Sequence, residues 1–124
     1  MEREVREKLL SLIPSVNTIY LFGSFAKSEF NKDSDIDIGF MADTKLSSIE
    51  VFHAAQQLAA ILNCDIDLVD VAAASLVMQF QILSTGKTIY ARDSVSLLVF
   101  EARIISMYQR FNEERKLILE EVSN

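Results

Sequence analysis

The chain has 124 residues, half of them apolar, with only three glycines and one proline. This length predicts a single domain, and the composition excludes disordered and low-complexity chains. One cysteine and one histidine exclude a disulfide framework and a histidine-rich metal site. The net charge of −6 argues against binding of long nucleic acids, because such proteins need a basic face, whereas a nucleotide carried with magnesium remains compatible.

The N-terminal segment is charged and lacks the apolar stretch of a signal peptide; its sequence is MEREVREK. No stretch approaches the ~20 apolar residues that span a bilayer. We therefore expect a soluble cytoplasmic protein with no membrane partner. The high apolar content also predicts a surface that contacts another protein, because one small core does not need so many apolar side chains.

The first half of the chain predicts helix, strand, strand and helix. Apolar residues recur at helical spacing over residues 2–13, which predicts an amphipathic helix ended by Pro14. Residues 18–22 are β-branched and aromatic, which is typical of a buried strand. A turn or short helix and a loop precede residues 35–41, whose alternation predicts a second strand. Residues 47–62 predict a helix that a serine caps.

The second half predicts strand, helix, strand and a long helix. Residues 65–71 repeat the alternating pattern, residues 72–83 predict a helix before Gly86, and residues 88–91 predict a short strand. A helix without breakers runs over residues 93–121. It has more apolar positions than one stripe requires, so we hypothesise that it packs on the sheet and also offers a partner surface, with residues 112–121 as a candidate docking segment. The plainer interpretation is a well-covered core helix.

These elements predict an α/β fold, or α+β by stricter usage, with a small mixed sheet and flanking helices. We expect one domain over residues 1–124, because neither a linker nor an internal repeat interrupts the pattern.

The chemically informative stretch is Gly23-Ser24, followed after ten residues by Asp35-Ile36-Asp37. A Gly-Ser step at a strand end lets backbone N–H groups and a hydroxyl face a phosphate. Carboxylates at positions i and i+2 of a strand point the same way and suit magnesium, which prefers oxygen ligands. The alternative interpretation is a simple turn followed by solvent-facing aspartates of an edge strand.

A third carboxylate can come from the strand over residues 65–71. Asp67 and Asp65 have the same strand parity, so periodicity alone does not separate them, and Asp70 is a further candidate. Three carboxylates with two metal ions ~3.5–4 Å apart form a clamp for in-line phosphoryl or nucleotidyl transfer. Asp33, in the preceding loop, reads as a turn residue.

This arrangement resembles the minimal nucleotidyltransferases of the polymerase-β-like superfamily. The phrase DLVD over residues 67–70, followed by GKTIY, resembles the antitoxin-type members, which are paired with an all-helical HEPN ribonuclease toxin. The resemblance implies a polymerase-β-like catalytic palm. It implies that three aspartates hold two Mg²⁺ ions and carry catalysis, and that the Gly-Ser step and a nearby lysine bind ATP; these residues are Asp35, Asp37, Asp67, Gly23, Ser24 and Lys27.

The resemblance further implies an antitoxin that transfers AMP from ATP to a tyrosine hydroxyl of its cognate HEPN toxin, within a hetero-oligomer of the two proteins. A second hypothesis is an antitoxin that only binds and occludes its partner, without catalysis. A third keeps the enzyme but gives it a small-molecule acceptor. The sequence leaves open which acceptor residue is used and how many AMP units are added.

Overall fold

The computed structural model describes residues 1–23 and 35–123. Four strands and four α-helices lie in these ranges, in the order that the sequence predicts. The elements are α1 Glu2–Leu12, β1 Val16–Phe22, β2 Ile36–Ala42, α2 Ser48–Leu62, β3 Ile66–Asp70, α3 Leu76–Thr85, β4 Lys87–Ala91 and α4 Ser94–Ser123, with a short 3₁₀ turn at Val71–Ala73 before α3.

The strands form one sheet in the order β3-β2-β1-β4. Strand β1 is antiparallel to both β2 and β4, whereas β2 and β3 are parallel. A parallel pair needs a crossover connection, and α2 provides it by carrying the chain back to the edge where β2 begins. The predicted α/β fold with a mixed sheet and flanking helices is therefore confirmed.

Each face of the sheet supports its own core. Helices α1 and α2 cover one face, where Leu9 and Leu58 pack with Ile38 and Phe40 of β2. Helices α3 and α4 cover part of the other face, where Tyr20 of β1 packs among a second buried group; its other buried members are Phe22, Val71 and Ile82. Because side chains alternate along β2, Asp37 lies on the same face as this second core.

The helix predicted over residues 72–83 begins later than expected. The chain first forms the 3₁₀ turn, in which Val71 is buried. The Ser75 side chain then accepts a hydrogen bond from the backbone N–H of Met78 at 3.2 Å. A serine in this position supplies an N-cap, so α3 starts at Leu76 and continues to Thr85.

Helix α4 lies against α3 and the sheet along its first half. The Tyr20 hydroxyl donates a hydrogen bond to Oε1 of Glu101 at 2.9 Å, and the ring of Tyr108 stacks on Phe80 with centroids 3.8 Å apart. Tyr108 is half-buried because of this stacking. None of the helices in the described ranges has the length and apolar content that a membrane span requires.

Candidate active site

The candidate site lies where β2 and β3 begin. Asp37 and Asp67 are register partners on these two parallel strands, so their side chains leave the same face of the sheet side by side. Asp35 stands immediately before β2 and has the strand parity of Asp37. The fold therefore brings together, at one edge of the sheet, the three carboxylates that the sequence singled out.

The electrostatics of Asp37 reflect this arrangement. Its carboxylate is half-buried, whereas Asp35 and Asp67 are exposed. Burial raises the pKa of Asp37 above its ordinary value, and the negative charges of Asp67 and Asp35 raise that pKa further. The two flanking carboxylates are thus near enough to repel the charge on Asp37.

The geometry favours Asp67 over Asp65 as the third carboxylate. Asp67 is the register partner of Asp37. Asp65 lies before the start of β3, next to Cys64 in the sequence. The pKa of the Cys64 thiol is raised mainly by burial. The negative charges of Asp65 and Asp35 raise it further. Asp70 is the last residue of β3, pairs with Phe40 and lies three residues, roughly 10 Å, beyond Asp67.

Gly23 ends β1 directly beside this cluster. Its backbone has φ +70°, in the left-handed region that strongly favours glycine, and a Cβ at this position would collide with Oδ2 of Asp37. The glycine therefore allows the turn and also lets the backbone approach the carboxylate. The other two predicted nucleotide contacts, Ser24 and Lys27, lie outside the described residues, as does Asp33.

The donor set fits a magnesium site. Carboxylate oxygens are the ligands that this cation prefers, and a divalent cation between Asp37 and its neighbours would relieve the repulsion that raises the pKa of Asp37. Over residues 1–23 and 35–123, no three His, Cys, Asp or Glu side chains already form a metal-binding cluster. A cation bound here would need the carboxylates to turn toward it.

Comparison with known proteins decides the family. A family model described as polymerase beta, nucleotidyltransferase, matches residues 6–95. The chain belongs to this nucleotidyltransferase family. The match covers all four strands, and with them Gly23 and the three carboxylates.

Relatives similar over the whole chain include proteins of known activity. The protein adenylyltransferase MntA of Shewanella oneidensis is 37% identical over 121 residues, which is 98% of this chain and 86% of that protein. A crystal structure of a toxin–antitoxin with AMP-PNP matches with a TM-score of 0.86 and 36% identity, covering 99% of this chain and 98% of that one. A structure of the tri-AMPylated Shewanella oneidensis HEPN toxin in complex with MNT antitoxin matches with a TM-score of 0.80 and 35% identity, over 99% and 96% of the two chains.

A second polar site, which the sequence analysis missed, lies at the opposite edge of the sheet. Both terminal nitrogens of Arg92 bind the carboxylate of Asp43, at 2.6 and 2.7 Å, and Asn17 donates to the same carboxylate at 3.0 Å. These residues line a cavity of about 340 Å³. Asp37 and Ala42 are five residues apart along β2, roughly 17 Å, so this cavity is separate from the candidate site around Asp37. Nothing in the local sequence pattern signals a pair 49 residues apart.

His53 and Cys64 lie outside the candidate site. His53 is exposed on α2, where Phe52 contacts its ring edge-on with centroids 6.2 Å apart. Cys64 is a half-buried free cysteine.

Proposed function

We propose that this nucleotidyltransferase transfers AMP from ATP to a tyrosine hydroxyl of a cognate HEPN ribonuclease toxin and thereby neutralises the toxin in the cytoplasm. The observation that carries the proposal is the in-register pair Asp37 and Asp67 beside Gly23. Support comes from relatives of 35–37% identity that are named as a protein adenylyltransferase or stand in complexes with AMP-PNP or an AMPylated toxin.

In this proposal, Asp35, Asp37 and Asp67 hold two Mg²⁺ ions. Bound magnesium would neutralise charge on the triphosphate and on the leaving pyrophosphate. Gly23 places backbone close to Asp37, and the adjoining Ser24 and Lys27 would hold the terminal phosphates, as the family resemblance implies.

The acceptor oxygen then forms a bond to the α-phosphorus of ATP, while the bond from that phosphorus to the bridging oxygen of the β-phosphate breaks. Pyrophosphate leaves with the electron pair of the broken bond. A tyrosine hydroxyl has a pKa near 10, so it is a weak nucleophile until its proton is removed. Asp67, exposed at the edge of the site, is the group that we expect to accept this proton as the new bond forms.

The product explains how transfer would silence a ribonuclease. A neutral tyrosine gains a phosphodiester with one negative charge and a bulky nucleoside. Next to an RNA-cleaving site, the added charge repels the phosphates of RNA and the added group blocks their approach.

Neutralisation by binding alone is the competing function. It is favoured by one observation, the large apolar side chains that remain exposed along α4; examples are Val95, Leu98 and Val122, with exposed fractions of 68%, 66% and 80%. Such side chains are typical of a surface that binds another protein. A change in the mass of the partner distinguishes catalysis from occlusion, because only catalysis adds AMP to it.

The decisive experiment measures the intact mass of the cognate HEPN toxin, after incubation with the chain, ATP and magnesium. We expect the toxin to gain one or more AMP units. The double variant Asp35→Asn/Asp37→Asn should abolish the gain, and Asp70→Asn, at the far end of β3, is the matched control that should keep it. A stable complex in which the toxin keeps its mass would overturn the adenylylation proposal in favour of occlusion.

A further inference from the structure

The last part of α4 extends beyond the two cores. Every residue from Gln109 to Val122 is exposed, whereas the preceding part of the helix includes the buried Ile104 and the half-buried Phe100. We call residues 109–122 the α4 arm.

One face of the α4 arm continues the face by which α4 packs on the domain. Phe100 and Ile104 lie on the packed side of α4, and positions 111, 118 and 122 follow them at helical spacing. Phe111 still approaches Tyr108, with ring centroids 6.3 Å apart. Ile118 and Val122 are 61% and 80% exposed. A face of core character thus runs past the edge of the domain, where none of the described residues covers it.

The α4 arm continues a helix that is already formed, but helices in proteins are held chiefly by packing of their apolar face. The α4 arm has the face but lacks the packing partner within the described residues. Its apolar side chains therefore point to a surface that another chain covers.

We infer that the α4 arm is the docking element for the HEPN toxin, with the face of Phe111, Ile118 and Val122 lying in an apolar groove of the toxin surface. This inference rests on the proposed function for the identity of the partner. The antitoxin chains of two toxin complexes match 99% of this chain, so the matched region includes the α4 arm in proteins that are bound to a toxin.

The α4 arm alone is too small for a stable interface with any partner. The arm is about 21 Å long and one helix is about 10 Å wide, which gives a footprint of roughly 200 Å². A stable interface needs ~800 Å² per partner. The partner must therefore touch this chain elsewhere as well, and a toxin does so where its acceptor hydroxyl enters the carboxylate site. Docking by the arm then raises the effective concentration of that hydroxyl at the site.

The test compares two neighbouring positions of equal exposure. Ile118 lies on the docking face, and Leu117 lies about 100° around the helix, with exposed fractions of 61% and 62%. We expect Ile118→Ser/Val122→Ser to weaken binding of the purified toxin at least tenfold, measured by titration calorimetry. AMP transfer at saturating toxin should stay within twofold of the unmodified chain, because the carboxylate site is untouched. Leu117→Ser should leave both quantities within twofold.

Three outcomes would overturn the inference. Toxin binding that survives the double variant removes the arm from the interface. Equal weakening by Leu117→Ser and by Ile118→Ser/Val122→Ser would indicate general loss of apolar surface rather than a docking face. A homodimer in sedimentation velocity that only the Ile118→Ser/Val122→Ser variant dissociates would assign the face to a second copy. If AMP transfer is absent but binding depends on the docking face, the inference stands and the proposed adenylylation fails.

Discussion

Asp37 and Asp67 lie opposite each other on the two parallel strands of the sheet. Each is the last residue of an Asp-Ile-Asp sequence, and the register aligns these two tripeptides, with Ile36 opposite Ile66. The α2 crossover is what makes the strands parallel and places both tripeptides at one edge. The clustering of carboxylates at this edge therefore follows from the pairing of two similar strands.

The register predicts which aspartate of β3 is required. Asp67→Asn should lower the initial rate of AMP transfer at least about 100-fold, because it removes the carboxylate that faces Asp37 and that we expect to accept the proton of the acceptor hydroxyl. Asp65→Asn, which alters the same kind of side chain two residues earlier, should leave the rate close to that of the unmodified chain. The reverse ranking of the two variants would show that Asp65 is the third carboxylate.

Gly23 should tolerate no side chain. Gly23→Ala forces a Cβ against Oδ2 of Asp37 at a backbone conformation that costs an alanine about 1–2 kcal/mol. We expect Asp37 to be displaced, so that the magnesium concentration giving half-maximal transfer rises and the maximal rate falls. The measurement is the rate of AMP transfer over a magnesium titration.

Urea unfolding of Gly23→Ala provides the control for this experiment. A variant that is folded at the assay temperature but needs more magnesium supports the positioning role of the glycine. An unchanged magnesium dependence would show that Asp37 does not require this close approach.

The sequence predicts the order of elements well because each depends on a local pattern. Alternation over residues 35–41 and 65–71 indicates the strands, and helical spacing indicates α1, α2 and α4. Local patterns do not contain the register between strands. Asp65 and Asp67 are therefore equivalent in the sequence and are distinguished only by the parallel pairing of β2 and β3.

The start of α3 was missed because the sequence pattern does not show where a helix is capped. An apolar run over residues 72–83 favours one helix, yet the Ser75 side chain caps a new start and Val71 is buried in a 3₁₀ turn.

The ion pair at the far edge of the sheet should appear in the acid stability of the protein. Hydrogen bonds from Arg92, then from Asn17, lower the pKa of Asp43 to about 2 from an ordinary value of 3.8. A carboxylate whose pKa is lower in the folded than in the unfolded protein stabilises the fold fully when the pH is above its unfolded-state pKa. For Asp43, this stabilisation is lost as the pH falls from about 4 to about 2.

In Asp43→Asn, the free energy of unfolding should therefore decrease less between about pH 4 and pH 2 than in the unmodified chain. Above about pH 5, the difference in free energy between the two proteins should hardly change with pH. The measurement is urea unfolding at a series of pH values, with Asp70→Asn as the control, since the structure shows no hydrogen bond to that carboxylate from the described residues. An equal slope in Asp43→Asn and the unmodified chain would show that the pair with Arg92 does not persist in solution.

Tyr20 should contribute to stability through its hydroxyl as well as its ring. The residue is 1% exposed, and its hydroxyl donates to Glu101 across the junction of the sheet and α4. Tyr20→Phe keeps the packing but leaves the half-buried carboxylate of Glu101 without this donor, which should lower the free energy of unfolding by about 1–2 kcal/mol. Tyr90→Phe is the matched control on β4, because its hydroxyl donates no hydrogen bond to the described residues. Urea unfolding of both variants at pH 7 measures the difference, and equal free energies would show that the bond to Glu101 adds nothing to the stability of the fold.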